Sequence, residues 1–205
     1  MTNREDKTIF TIGHSDHRIE RFLVLLARNR IDAVADVRSS PRSRFNPQFN
    51  RQELAATLKA AGMHYVFMGD ELGARRAEPD CYVEGKARYE LIARLPLFRE
   101  GLTRLQDGSS RLRIALMCAE KDPVTCHRSI LVCRHLRDFQ LSIAHILADG
   151  HIETHDCLEQ RLLKVARVKG EDLINTHHEA VEHAYDLQGD RIAYTKSEKL
   201  AEERN

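Results

Sequence analysis

Leu112-Arg113-Ile114-Ala115-Leu116-Met117-Cys118, then Ala119-Glu120-Lys121-Asp122-Pro123-Val124-Thr125, then Cys126-His127-Arg128, is the stretch that decides how this chain folds. Its first seven residues make an apolar run of strand length, the next seven a polar turn, and Cys126 opens a helix. Two thiols, the Glu120 carboxylate, an imidazole and a guanidinium therefore fall within the eleven residues from Cys118 to Arg128. In open α/β sheets, ligands bind where a strand ends and feeds a helix N-terminus, because free N–H groups and the helix dipole favour an anion there. This turn is the candidate active site.

Similar units lie on either side. Residues 8–12 are short and β-branched, and Gly13-His14-Ser15-Asp16 supplies a turn before a helix whose apolar positions Ile19, Phe22, Leu23 and Leu26 share one face. Residues 31–37 read as a second buried strand. Residues 39–50 read as a basic loop, after which Asn50 and Glu53 have capping-box spacing for a helix ending at Gly62. Residues 63–68 make a third strand, residues 69–85 a long loop, and residues 87–106 a helix broken at Pro96. Residues 112–118 are the fourth strand and 141–147 the fifth, followed by the Asp149-Gly150 turn and a helix over about 154–168. This alternation predicts an α/β fold: a mostly parallel open sheet of about five strands with helices on both faces.

The chain has 205 residues, enough for one main domain with an appendage. We divide it into an α/β domain over 1–169 and an acidic C-terminal tail over 170–205, helical or disordered, with candidate helices at 171–185 and 196–203. The tail carries 4 Lys+Arg against 9 Asp+Glu, a net of −5, which leaves 28 against 22, a net of +6, for the body. A basic body suits phosphate-bearing ligands. The polar N-terminus and the absence of an apolar run near ~18 residues predict a cytoplasmic protein with no membrane partner. Five cysteines without a secretion signal predict reduced thiols.

In a parallel sheet the C-terminal strand ends share one rim. That rim should gather His14 and Ser15, Asp36 and Arg38, Cys118 and Glu120, and Asp149, with Cys126, His127 and Arg128 closing over it. The leading reading is an enzyme acting on a phosphorylated ligand, a nucleotide or a nucleic-acid base. Cys118 would be its nucleophile or polarised thiolate, Glu120 with His14 or His127 would move protons, and Asp36 would complete the catalytic set. Ser15, Arg38, Arg42, Arg44, Cys126, Arg128 and Asp149 would bind the ligand, arginine offering a planar fork to phosphate.

Two other readings use the same residues. Cys118, Cys126, His127 and His14 could hold Zn or Fe, or the thiols could sense redox state, although no C-x-x-C pair is present and no cofactor is required by the sequence. Alternatively the basic rim holds nucleic acid without catalysis. A cysteine-phosphatase loop would need arginine where Val124 stands, and no P-loop or G-x-G-x-x-G occurs. Cys81, Cys133 and Cys157 read as structural, and His177, His178 and His183 as surface residues.

Taken together, Thr11-Ile12-Gly13-His14-Ser15, Asp36-Val37-Arg38 with Pro41 and Ser43, Leu72-Gly73, Met117-Cys118-Ala119-Glu120 with Pro123, Cys126-His127-Arg128, and His145-Ile146 with Asp149-Gly150 resemble the domain of unknown function 488 family. The later His155, Leu158-Glu159 and Arg161-Leu162 resemble its closing helix, so the resemblance covers about residues 8–163. It implies a compact α/β protein with a polar pocket and a role in nucleotide or nucleic-acid processing. Ala74 departs from the pattern, which often has a second glycine there.

Overall fold

Strict alternation along the strands divides their side chains between two apolar layers. The structure, a computed structural model, describes residues 7–170 and 176–196. The chain forms β1 (Thr8–Gly13), α1 (Ile19–Arg28), β2 (Ala33–Asp36), α2 (Arg51–Ala60), β3 (His64–Phe67), α3 (Gly69–Leu72), β4 (Tyr82–Val83), β5 (Lys86–Ala87), α4 (Tyr89–Ile92) and α5 (Pro96–Ser109). Then come β6 (Ile114–Cys118), a π-helical turn (Arg128–Cys133) continuing into α6 (Arg134–Leu136), β7 (Ser142–Ile146), β8 (Ile152–Thr154), α7 (His155–Ala166) and α8 (His177–Ile192).

The main sheet has the order β3-β2-β6-β1-β7-β8, parallel except for β8, and β4 and β5 form a separate hairpin. Phe10, Ile12, Val34, Ala115 and Met117 meet Phe22, Leu25 and Leu26 of α1 and Leu54 and Leu58 of α2 on one face. Ile9, Ala33, Ala35, Ile114, Leu116 and Cys118 meet α5, the π-helical turn, α7 and α8 on the other. Each neighbouring residue of a strand thus serves the opposite layer, the period of two that a sheet covered on both faces requires. The expected fold class is what the chain adopts. No helix among the described residues is long and apolar enough to cross a membrane.

Four local expectations change. The capping box at Asn50 does not form, because the Asn50 Oδ1 instead accepts the Ser43 N–H at 2.7 Å and braces the preceding loop. Residues 69–85 are not one long loop but contain α3, a 3-10 turn and β4. The buried Arg76 side chain ties this segment together by donating to the Asp70 carbonyl at 2.5 Å and pairing with Glu78 at 2.9 Å. The helix expected over 87–106 is two helices, with Pro96 starting the second, where a missing N–H costs nothing. A sixth strand, β8, pairs antiparallel to β7, and its three residues are too few to show a period.

The segment past Gly170 supplies α8, whose Thr176 and Glu179 form a complete capping box. Ala180, Val181, Ala184, Tyr185 and Gln188 are buried at helical spacing, and α8 packs against α7. Its acids face the basic body: Arg134 pairs with Glu182 and Asp186, and Arg137 with Glu159 and Glu182. Of the helix expected over 196–203, residues 197–203 lie outside the described residues, as do the first residues of the one expected from 171.

A hydrogen-bonded chain runs under this contact. Tyr185 Oη donates to Glu159 at 3.1 Å and so accepts from His155 Nε2 at 3.0 Å. His155 Nδ1 then accepts from His145 Nε2 at 3.0 Å, which leaves His145 Nδ1 to accept from the Thr11 hydroxyl at 2.8 Å. Each ring needs one proton, so both are neutral. Burial and the Arg137 charge push His155 down to about 4. The unfolded chain takes up this proton near pH 6.5, so unfolding binds a proton between pH 6.5 and about 4, and stability falls as pH drops through that window. The loss attached to His155 is about 3 kcal/mol. Urea unfolding at pH 7 and pH 4.5 should show that His155→Gln loses clearly less stability on acidification than the wild type; equal losses would remove His155 from the account.

Candidate functional site

The ladders that hold β6 in the sheet continue past its end. His14 N–H donates to the Cys118 carbonyl at 2.8 Å, Ser15 N–H to the Ala119 carbonyl at 2.9 Å, and Val37 N–H to the Met117 carbonyl at 3.1 Å. Residues 117–119 are therefore clamped on both sides. The turn then folds back so closely that a Cβ at Gly13 would lie 2.0 Å from the Glu120 carbonyl oxygen, which reserves position 13 for glycine. The guanidinium of Arg128, with no exposed surface, completes the turn by donating to the Glu120 carbonyl at 2.7 Å and the Lys121 carbonyl at 3.3 Å.

This geometry brings four reactive side chains together. One ligand atom each from Cys118, Glu120, Cys126 and His127 lies within 4.8 Å of all the others. His127 Nε2 is 2.9 Å from the Val37 carbonyl, which can only accept, so Nε2 carries a proton and Nδ1 faces Cys118 Sγ at 3.6 Å. Cys126 Sγ lies 2.9 Å from Glu120 Oε2 and also receives the Arg128 N–H at 3.4 Å. A bare thiolate and a bare carboxylate repel at that distance, so this pair shares a proton.

Burial pushes the Cys118 thiol well up, with Cys126 and Glu120 adding to it. Burial would raise Cys126 as well, but the Cys118 hydrogen bond and the charges of Arg128 and His127 outweigh it and hold Cys126 well down. Cys126 is thus the more acidic of the two thiols, while Cys118 Sγ lies against His127 Nδ1. Burial and the Cys126 charge raise Glu120, and the same charge raises His127 against its own burial.

A second cluster lies beside the first. Arg38 Nε and Nη2 grip both oxygens of Asp36 at 2.9 and 2.7 Å, Nη2 also donates to the Phe49 carbonyl at 2.7 Å, and Nη1 donates to His14 Nε2 at 3.1 Å. Of the five guanidinium hydrogens, one on Nη1 is left without a partner among the described residues. The Arg38 backbone N–H also donates to Asp36 at 3.2 Å, and Tyr65 Oη adds a fourth bond at 2.8 Å. His14 stacks on Phe49 and donates from Nδ1 to the Ser15 carbonyl, so both its nitrogens are engaged. Burial and Arg38 push it down to about 4 and keep it neutral.

Both clusters border one cavity of about 310 Å³. Cys118, Glu120 and His127 line it together with Arg38, Ser39 and Ser40 from the loop after β2. Arg75, Tyr89, Arg191 and Tyr194 complete the wall. The Arg75 guanidinium lies over the Tyr194 ring at 4.4 Å. These last four escaped sequence reasoning: Arg75 stands in an irregular segment, Tyr89 in a helix with no chemical motif, and Arg191 and Tyr194 in the stretch read as an acidic tail.

Other expected site residues lie elsewhere. His14 does not join the four clustered side chains, because its nitrogens are spent on Ser15 and Arg38; Glu120 takes the place expected for it. Arg42 and Arg44 are exposed in the loop and do not line the cavity. Ser15 bonds to Asp16, and Asp149 to His151; neither Ser15 nor Asp149 lines the cavity, and Asp149 borders a separate depression with Asp16 and Arg161. Cys126 and Arg128 sit behind the floor rather than on it.

Asp36 has no exposed surface, so removing it strands a buried guanidinium. Asp36→Ala should cost about 3–5 kcal/mol in urea unfolding, while Arg42→Ala on the exposed loop should stay within about 0.5 kcal/mol. Equal effects would mean that the Asp36–Arg38 pair does not brace the site.

No curated protein and no solved structure matches the chain. The sequence model of the family described as domain of unknown function DUF488 matches residues 18–134. That span is more than half of the chain and runs from α1 to the π-helical turn. It includes Asp36, Arg38, Cys118, Glu120, Cys126, His127 and Arg128, the residues from which the site is built. The protein belongs to the DUF488 family.

Proposed function

We propose that the cavity is an enzyme active site for a phosphorylated ligand, a nucleotide or a base presented by nucleic acid. The observation that carries this reading is the pairing of a reactive floor, Cys118, Glu120 and His127, with a wall bearing Arg38, Arg75 and Arg191. Arg75 and Arg191 make no ion pair among the described residues. Arg38 keeps one free Nη1 hydrogen beside Cys118. Guanidinium forks of this kind suit phosphate oxygens. A volume of about 310 Å³ suits a small ligand.

Each group has a role that follows from its bonds. The Val37 carbonyl fixes the His127 tautomer, so His127 Nδ1 is the nitrogen that takes or gives a proton at the floor. Glu120 shares a proton with Cys126 and reaches the cavity, which makes it the second proton carrier. Asp36 and His14, whose polar atoms are engaged, position Arg38 rather than touch the ligand.

Phe45 favours nucleic acid over a free nucleotide. Its ring is 88% exposed, on the loop that begins at Ser39 and Ser40 of the cavity wall and carries Arg42 and Arg44. An exposed ring beside cations is the arrangement on which unpaired bases stack.

Isothermal titration with nucleoside monophosphates and a short single-stranded oligonucleotide tests the reading. Binding should weaken as salt rises, Arg75→Ala and Arg191→Ala should each lower affinity by about 10-fold, and Phe45→Ala should weaken the oligonucleotide alone. No binding of any of these ligands by the wild type would overturn the proposal.

A further inference from the structure

We infer that Cys118, Cys126, His127 and Glu120 form a binding site for one zinc ion at the floor of the cavity. The inference goes beyond the reading above and rests on the donor set, not on any ligand of the cavity; with the ion bound, His127 Nδ1 and Glu120 serve as its ligands in place of the proton-carrying roles they have without it. Tetrahedral zinc bonded to sulfur at about 2.3 Å and to nitrogen or oxygen at about 2.0–2.2 Å has neighbouring ligands about 3.3–3.8 Å apart. Here the Cys118 Sγ to His127 Nδ1 separation is 3.6 Å, the Cys126 Sγ to Glu120 Oε2 separation is 2.9 Å, and no pair exceeds 4.8 Å. Opening the 2.9 Å pair by about 0.6 Å, and drawing any pair near the 4.8 Å limit inward by about 1 Å, brings the four donors to that spacing.

The surroundings of the four donors match the same ion. A metal-bound histidine donates its other ring N–H to a carbonyl or carboxylate, as His127 does to Val37. Cys126 Sγ receives a backbone N–H from Arg128. Charge also closes: two thiolates and a carboxylate around a divalent ion leave one negative charge, and the fully buried Arg128 beside them carries one positive charge. Without an ion, the same packing requires protons to be shared among groups within 4.8 Å of one another.

Donor chemistry selects the metal. Two soft sulfurs and an imidazole favour zinc over magnesium or calcium, which take oxygen shells. Cys118 and Cys126 are buried, while Glu120 reaches the surface at the mouth. Four protein ligands complete the tetrahedron, as in structural zinc sites, with Glu120 the ligand nearest the mouth of the cavity. The spacing C-x-E-x5-C-H hides this from motif reading, because a strand end, a turn and a helix start supply the ligands, and none needs a short-spaced partner.

The test is metal content of the full chain purified under reducing conditions without chelators, followed by chelation and titration with cobalt(II). About one zinc per chain, and cobalt absorption with intense thiolate charge-transfer and tetrahedral d–d bands, are expected. Cys118→Ser and Cys126→Ser should lose at least 10-fold in zinc affinity, with folding checked by circular dichroism. Glu120→Gln should keep the metal with a shifted cobalt spectrum. A wild-type protein with no zinc above background and no cobalt–thiolate band overturns the inference, whatever the variants do. So does a Cys118–Cys126 disulfide in its place. Nucleotide titration of the zinc-loaded protein separates the two claims: zinc present without anion binding removes the proposed function and leaves the metal site standing.

Discussion

A guanidinium with no exposed surface governs this structure. Arg128 makes no ion pair with a carboxylate among the described residues, yet taking such a charge out of water costs several kcal/mol unless an opposite charge lies close by. Its hydrogen bonds go to the Glu120 and Lys121 carbonyls, so the charge is matched only by what the turn brings beside it, the thiols and carboxylate of Cys118, Cys126 and Glu120. The buried cation therefore fixes the turn and requires an anionic cluster in it. Reactive groups are held together here by the electrostatics of the core and not by a flexible loop.

The sheet decides which groups can meet. β6 lies between β1 and β2, and both ladders extend to its end, so Cys118 is placed by neighbours on each side. Alternation sends Cys118 to the face covered by α5 and α8 and Val34 to the face covered by α1 and α2, with Asp36 two residues on from Val34. Arg38, braced by Asp36, carries positive charge from its own cluster to the wall above Cys118. The C-terminal segment closes the opposite wall with Arg191 and Tyr194, held there by the Tyr194 carbonyl, which accepts the Ala87 N–H at 2.8 Å. The cavity wall thus carries cations from three separate parts of the chain, Arg38, Arg75 and Arg191.

The sequence made the sheet legible because its buried strands are uninterrupted apolar runs punctuated by turns, and it made the floor legible because Cys118 to Arg128 is one continuous segment. Distance in sequence hid the rest. Nothing local marks Arg75, Tyr89 or Tyr194 as neighbours of Cys118, since long-range packing of α3, α4 and α8 puts them there. Composition misled at the C-terminus, where the net charge of −5 drew attention from the stripe of Ala180, Val181, Ala184 and Tyr185 that seats α8. Spacing could not show the partners of His14 and Asp36. Both reach the rim as expected, but hydrogen bonds to Arg38 engage them, and only the folded chain reveals that engagement.

X-ray absorption at the zinc edge, on protein purified without added metal, examines the central claim at the atoms concerned. The account predicts two sulfur neighbours at about 2.3 Å and two lighter nitrogen or oxygen neighbours at about 2.0–2.2 Å. An edge signal absent at stoichiometric protein concentration, or a shell of oxygen and nitrogen alone, would contradict it and leave Arg128 facing a cluster balanced by protons instead of a metal.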